Sequence, residues 1–141
     1  MFLASTRYGL IACRHLTRCY HHGKYVPAPD IADKYNMNVR ALMPALRLLT
    51  KAGILRSRAG GKEPGFIFSR HPREITLLEV LIALEGDTSI LCCKQMIPDL
   101  KCDCEFNTDC GVFNFFNDMV SHVKTKLSDI TIEMHSKSVL E

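Results

Sequence analysis

Apolar side chains recur at steps of three and four residues near the beginning of the chain and again over its last third, as along one face of an α-helix. The first stretch predicts a helix over residues 6–21, which Ser5 or Thr6 would cap. The second predicts one long amphipathic helix. Its apolar positions are Val112, Phe116, Met119, Val120, Val123, Leu127 and Ile130. This stripe is longer than so small a core needs, which favours a face that packs against a partner; an ordinary core helix is the alternative.

Between these stretches, residues 30–53 predict two short helices joined by a tight turn near Asn36. Asp30 and Asn38 suit the N-cap positions of the two helices. Gly53 suits the left-handed position that follows the end of the second helix. The pattern is typical of a helix–turn–helix.

Two short strands are predicted next, "ILRS" and "FIFS", on either side of a loop rich in glycine and proline. Thr76 and Glu79 then have capping-box spacing and begin a helix that ends near Glu85. The predicted class is therefore mainly α with a small β-wing, a winged helix–turn–helix followed by a long C-terminal dimerisation helix. The predicted domains are a DNA-binding domain (1–86), a cysteine-rich sensor loop (87–111) and the dimerisation helix with its tail (112–141).

The charged residues divide unevenly along the chain. Residues 1–75 carry 13 lysines and arginines against 4 aspartates and glutamates, a balance of +9, whereas residues 76–141 carry 5 against 11, a balance of −6. A basic winged helix is typical of proteins that bind DNA, although a merely solvated basic surface is the alternative. The predicted DNA-binding residues are Arg7, Asn38, Arg40, Ala41, Pro44, Arg47, Arg56, Arg58 and Lys62.

No apolar run approaches the roughly 20 residues that a membrane span needs. The first residues also lack the pattern of a signal peptide. We therefore expect a cytoplasmic protein with no membrane partner and with reduced cysteines. Five of the seven cysteines fall within residues 91–111. In a reducing compartment, such a cluster favours metal or redox chemistry over structural disulfides.

Four segments carry a resemblance to a known family: "TRYGL", "IADKYNMNVRAL", "LRLLTKAGILRS" and "PREITLLEVLIALEG". Their order and spacing resemble those of the small bacterial winged-helix repressors that include the iron–sulfur-cluster regulator, the nitric-oxide-sensitive repressor and the cysteine-metabolism repressor. The resemblance covers residues 6–86 and, more weakly, the remainder. It implies a homodimer that packs through its long C-terminal helices and represses transcription from a palindromic operator in double-stranded DNA.

Two departures from the family pattern concern DNA recognition. Relatives commonly begin the recognition helix with an aromatic-Leu-acidic-amide run, whereas this chain has "ALMP", residues 41–44. Pro44 cannot donate to the carbonyl of Arg40, so we expect this helix to kink or to begin late. The wing is slightly longer than in relatives and carries Glu63; Arg58 is its best candidate for a minor-groove contact.

The resemblance makes the cysteine-rich loop a candidate site for a two-iron two-sulfur cluster. The implied ligands are Cys93, Cys104 and Cys110, with Cys92 and Cys102 as substitutes. Five residues lie between Cys104 and Cys110, as in the family, but ten lie between Cys93 and Cys104. Some relatives supply a carboxylate ligand just before the tyrosine of the first helix, where this chain has Arg7, which cannot bind iron.

The residues themselves leave several roles open for this loop. A thiol switch or a small-ligand site without a cofactor suits it as well as a cluster. Structural zinc fits the spacing poorly, and the cysteines could also have no signalling role. Cys13 and Cys19 lie in the predicted first helix, and we expect them to be packing residues rather than sensors.

We predict a DNA-binding regulator whose affinity is tuned through this loop. The alternatives are a winged-helix module that binds proteins rather than DNA, and a cysteine- or metal-dependent enzyme. The spacing of histidines and aspartates suggests no catalytic base for such an enzyme.

Overall fold

The computed structural model describes residues 4–86 and 111–138. In chain order the elements are α1 (Ala4–Tyr20), α2 (Ala28–Tyr35), α3 (Val39–Lys51), β1 (Leu55–Arg58), β2 (Gly65–Phe68), a 3₁₀ turn (Pro72–Glu74), α4 (Leu77–Glu85), α5 (Gly111–Ser128) and α6 (Ile132–Ser138). The prediction of a mainly helical winged helix–turn–helix with a small β-wing is confirmed.

One hydrophobic core holds the winged-helix elements together. Helix α3 contributes four side chains at helical spacing, and α1, α2 and α4 pack around them. The core includes Ala12, Cys13, Leu16, Ile31, Leu42, Ala45, Leu46, Leu49, Phe68, Ile75, Val80 and Leu84. Within residues 4–86 and 111–138, no helix combines the length and the apolar character that crossing a membrane requires.

The turn of the helix–turn–helix forms as its residues predict. Asn36 ends α2 in the left-handed conformation, with φ at 53°, and its backbone N–H bonds to carbonyls of the last turn. The side-chain oxygen of Asn38 accepts a hydrogen bond from the N–H of Arg40 at 2.9 Å, so Asn38 caps α3 as predicted. Gly53 has the expected positive φ, 78°, just after α3.

Two predicted helix starts are wrong. The chain is already helical at Ala4, so Ser5 and Thr6 lie inside α1 rather than at its cap. Thr6 is instead fully buried and donates to a carboxylate oxygen of Glu85 at 2.9 Å, which joins α1 to α4. Helix α2 begins at Ala28, after an extended Pro27, so Asp30 lies in the first turn instead of capping it.

Of the two outcomes expected at Pro44, a kink or a late start, the late start does not occur. The helix begins at Val39 and continues through Pro44 to Lys51. Proline removes one backbone donor, but the Asn38 cap and the buried face of α3 stabilise the turns on both sides of it. Pro44 itself is exposed.

The predicted long helix forms as α5 but ends at Ser128, before Ile130, the last apolar position of the predicted stripe. Residues 130–132 then pair with residues 75–77, and α6 begins at Ile132. The N–H of Leu77 bonds to the carbonyl of Ile130 at 2.7 Å, and the N–H of Ile132 bonds to that of Ile75 at 2.9 Å. Ile132 is fully buried in the core, so residues 130–138 belong to the packing of the winged helix.

The wing is an antiparallel pair in which Leu55 faces Phe68 and Arg58 faces Gly65. Val26, just before α2, forms an isolated antiparallel bridge to β2, because it exchanges two backbone hydrogen bonds of 2.9 Å with Phe66. Gly65 allows this approach because it has a φ of 137° and no side chain. The base of the wing is thereby attached to the start of the helix–turn–helix.

Candidate nucleic-acid interface

Helix α3 presents one face to the core and the opposite face to solvent. Every third or fourth residue, beginning at Leu42, is fully buried. The exposed positions on the other side are Arg40, Pro44, Arg47, Leu48 and Lys51. This division leaves a basic surface on the helix that a winged helix–turn–helix places in the DNA major groove.

Cations from α3 and the wing meet in one groove. Arg47, Lys51 and Arg58 line it together with apolar side chains that include Met43 and Phe66. Lys51 was not predicted from the sequence, although it follows Arg47 by one helical turn and therefore lies on the same face. Three positive charges around one groove suit contact with phosphates or with guanine edges.

Arg58 is held against the wing by three contacts with two residues, Tyr25 and Glu63. Its guanidinium lies 4.0 Å from the centre of the Tyr25 ring. Its Nε donates to the backbone carbonyl of Glu63 at 2.9 Å, and a second nitrogen is 3.7 Å from the Glu63 carboxylate. These contacts order the predicted minor-groove residue, and Tyr25 is a supporting residue that sequence reasoning missed.

The other predicted DNA-binding residues are spread more widely. Arg40 is exposed in the first turn of α3, and Ala41 beside it is half-buried. The side chain of Asn38 is engaged in capping. Arg56 and Lys62 are exposed on β1 and in the wing loop. Arg7 instead lines a pocket with Arg14 and His135 between α1 and α6, so it does not join the α3–wing groove.

The predicted cysteine ligands all lie outside the described residues. These are Cys92, Cys93, Cys102, Cys104 and Cys110. Within residues 4–86 and 111–138, no group of three or more histidine, cysteine or acidic side chains could hold a metal ion. Burial raises the pKa of the Cys13 thiol to about 12, so it stays protonated at neutral pH, as a packing residue does. Cys19 is half-buried against the same core.

Helix α5 carries an exposed apolar stripe. None of its residues is buried in the single chain. Four large side chains, Phe115, Phe116, Met119 and Val123, are between 47% and 62% exposed, and Val112 is 52% exposed. Such a continuous apolar surface is typical of a protein–protein contact.

Comparison with known proteins gives a family match. A family model described as "Rrf2: Iron-dependent Transcriptional regulator" matches residues 3–136. BadM of Rhodopseudomonas palustris, named as an HTH-type transcriptional regulator, is 37% identical over 86 residues, which are 61% of this chain and 53% of BadM. YwnA of Bacillus subtilis, named in the same way, is 38% identical over 72 residues, 51% and 52% of the two chains. The chain thus spans about half the length of these curated relatives.

Solved structures show the same fold. IscR of T. potens superposes with a TM-score of 0.75 at 22% identity, covering 99% of this chain and 88% of that one. CymR of B. subtilis, described as the global cysteine regulator of that organism, superposes with a TM-score of 0.73 at 21% identity, covering 98% and 97%.

Proposed function

Because the chain belongs to the Rrf2 family of transcriptional regulators, we propose that it binds double-stranded DNA as a homodimer and represses transcription in response to a change in its cysteine-rich loop. The family comprises regulators and not enzymes, so the enzyme alternative is set aside. Such a function places the protein in the cytoplasm, where its DNA is.

The observation that carries the DNA-binding proposal is the groove in which Arg47 and Lys51 of α3 meet Arg58 of the wing. Arginine offers a planar set of donors that fits guanine edges and phosphates, and lysine adds a mobile charge. The start of the helix–turn–helix and the base of the wing are attached to each other at Val26 and Phe66, which supports a set orientation of both elements toward the duplex. The remaining predicted cations, Arg40, Arg56 and Lys62, extend this surface.

The proposed dimer uses the α5 stripe, with a second copy of this chain as the occupant. The stripe is continuous along α5 and is flanked by polar side chains, as an interface between two identical helices requires. Two copies related by a twofold axis would present two α3 helices to a palindromic operator.

The proposed signal enters through the cysteine-rich segment predicted from the sequence, residues 87–111, which follows α4 in the chain and leads to α5. On one side, α4 is joined to α1 through Thr6 and Glu85. On the other side, α5 begins at Gly111, immediately after Cys110. A change in the loop would therefore alter the position of the dimer helix relative to the DNA-binding core. DNA affinity changes only if the two loop states hold the recognition helices at different spacings.

We expect Arg47→Ala to weaken duplex binding about tenfold or more and to reduce the dependence of affinity on salt. Each protomer of the proposed dimer contributes one Arg47 guanidinium to the duplex. The variant therefore loses two contacts with DNA, together with the counterion release that accompanies each of them. Fluorescence anisotropy with a labelled duplex, measured over a series of salt concentrations, gives both quantities. Arg73→Ala, an exposed arginine of the 3₁₀ turn, is the matched control and should bind like wild type.

The DNA-binding proposal would be contradicted if the wild-type protein bound no duplex, or bound it with an affinity that did not depend on salt, in both reduced and oxidised buffers. A protein-interaction module would give that result. Equal losses for the Arg47 and Arg73 variants would show that general charge, rather than the α3–wing groove, controls affinity.

The loop proposal predicts a cofactor or a reversible thiol change at Cys93, Cys104 and Cys110. A bound iron–sulfur cluster supplies a redox- and ligand-sensitive group held by cysteine thiolates. Anaerobic purification followed by visible spectroscopy and iron, sulfide and zinc analysis distinguishes a cluster from a thiol switch. We expect serine substitutions at these three cysteines to abolish the response of DNA binding to the signal. Cys13→Ser, at the buried thiol, is the control and should keep the response.

If the three serine substitutions leave every redox or metal response unchanged, the loop is not the point at which the signal enters. The DNA-binding proposal would then still be tested separately by the salt series.

A further inference from the structure

The exposed side of α3 carries a regular line of side chains. Arg40, Pro44, Arg47 and Lys51 follow one another at steps of four, three and four residues, which stacks them on one side of a helix. All four are exposed, whereas the opposite side of α3 is fully buried in the core. The pyrrolidine ring of Pro44 is therefore in the middle of the DNA-facing surface, with an arginine one turn to each side.

The polar chemistry of this surface is limited. On α3, all of which the structure describes, the exposed polar side chains are cations. The Thr50 hydroxyl donates to the carbonyl of Leu46 at 2.8 Å, and the Asn38 oxygen is engaged in the cap. Adenine is commonly read by an amide and cytosine by a carboxylate, and α3 exposes neither group. Guanine, read by arginine, and thymine, read by an apolar contact with its methyl group, fit the surface instead.

Packing does not account for Pro44. The residue is exposed, and it removes the backbone donor that would bond to the carbonyl of Arg40. Its ring is rigid, so it presents an apolar surface without losing conformational freedom on binding. Ala41, which is half-buried, and Leu48, which is 40% exposed, extend the apolar area beside it.

We propose that the Pro44 ring contacts the C5 methyl group of a thymine in the major groove, so each operator half-site contains a required thymine. This inference rests on the proposed function and names the base that α3 selects. Arg40 and Arg47, on either side of Pro44, would contact guanines or phosphates next to that thymine.

The test begins with selection of bound duplexes from a random library by the wild-type protein. Each thymine in the selected half-site is then replaced in turn by deoxyuridine, which removes only the methyl group. At one thymine position we expect affinity to fall about fourfold for each half-site, because the burial of one methyl-sized apolar group is lost. Deoxyuridine placed outside the selected half-sites is the control and should leave affinity unchanged.

Pro44→Ala supplies the second arm of the test. Alanine restores the helical donor and has high helix propensity, so the variant should fold at least as well as wild type. It should show a smaller preference for the thymine duplex over the deoxyuridine duplex than the wild type does, because alanine lacks the ring carbons that would cover the methyl group. If no deoxyuridine position lowers affinity, or if Pro44→Ala keeps the full penalty, the inference is wrong while DNA binding stands. Absence of any duplex binding by the wild type overturns the proposed function and this inference together.

Discussion

Phe116→Glu should convert the proposed dimer to a monomer and lower operator affinity by about two orders of magnitude or more. Phe116 is 47% exposed in the single chain and contacts Phe115 edge-on, with ring centres 5.5 Å apart. In a twofold dimer the substitution enters the interface twice, and each carboxylate would lose its water without gaining a partner charge. A monomer reaches only one half-site at a time and loses the advantage of linked binding.

Sedimentation equilibrium and duplex titration measure the two effects of Phe116→Glu. Because α5 has no buried residue in the single chain, the core should remain folded, and circular dichroism checks this. Ser121→Glu introduces the same charge on the polar side of α5, where the Ser121 hydroxyl donates to the carbonyl of Asn117 within the same helix. That control should remain dimeric. A Phe116→Glu variant that keeps the dimer mass would exclude the α5 stripe as the interface.

Gly65→Ala should lower the free energy of unfolding by about 3 kcal/mol or more, from backbone strain together with overpacking. A Cβ atom at this position would lie 2.3 Å from the carbonyl carbon of Val26 and 2.4 Å from its oxygen. Both contacts are with backbone, so no side-chain rotation relieves them. The φ of 137° is also strained for alanine. The start of the helix–turn–helix and the base of the wing would therefore have to separate.

Urea denaturation measures the free energy of unfolding of Gly65→Ala and of its control variant. Gly61→Ala is the matched control, because Gly61 also has a positive φ, 78°, but a Cβ atom added there would meet nothing within 4 Å. We expect this control to cost only about 1 kcal/mol, which is the effect of the left-handed conformation alone. Equal losses for the two variants would show that the close approach at Val26 contributes nothing to stability.

Features that depend on near neighbours could be predicted from the sequence. Thr76 and Glu79 form the expected capping box, with reciprocal hydrogen bonds of 2.8 and 3.1 Å. The tight turn at Asn36 and the cap at Asn38 are also as predicted. Each of these features is satisfied by atoms within about four residues of one another, so local spacing specifies it.

Predictions failed where a distant partner determined the result. Thr6 has the chemistry of a cap, but its hydroxyl bonds to Glu85, 79 residues away. Ile130 continues the apolar periodicity of α5, yet its carbonyl accepts from Leu77 and the helix has already ended. In both cases a tertiary contact replaced the local one that the pattern favoured.

For the candidate site, local patterns in the sequence were enough to predict the class of surface: a basic helix–turn–helix with a glycine-containing wing and arginines on the exposed side of α3. Helical periodicity and charge suffice for this, because both are properties of neighbouring residues. Three placements required the folded chain: Arg47 and Lys51 share a groove with Arg58, Tyr25 contacts Arg58, and Arg7 lies elsewhere. Those placements follow from the packing of α3 against the wing and of α6 against α1, which brings together residues far apart in the chain.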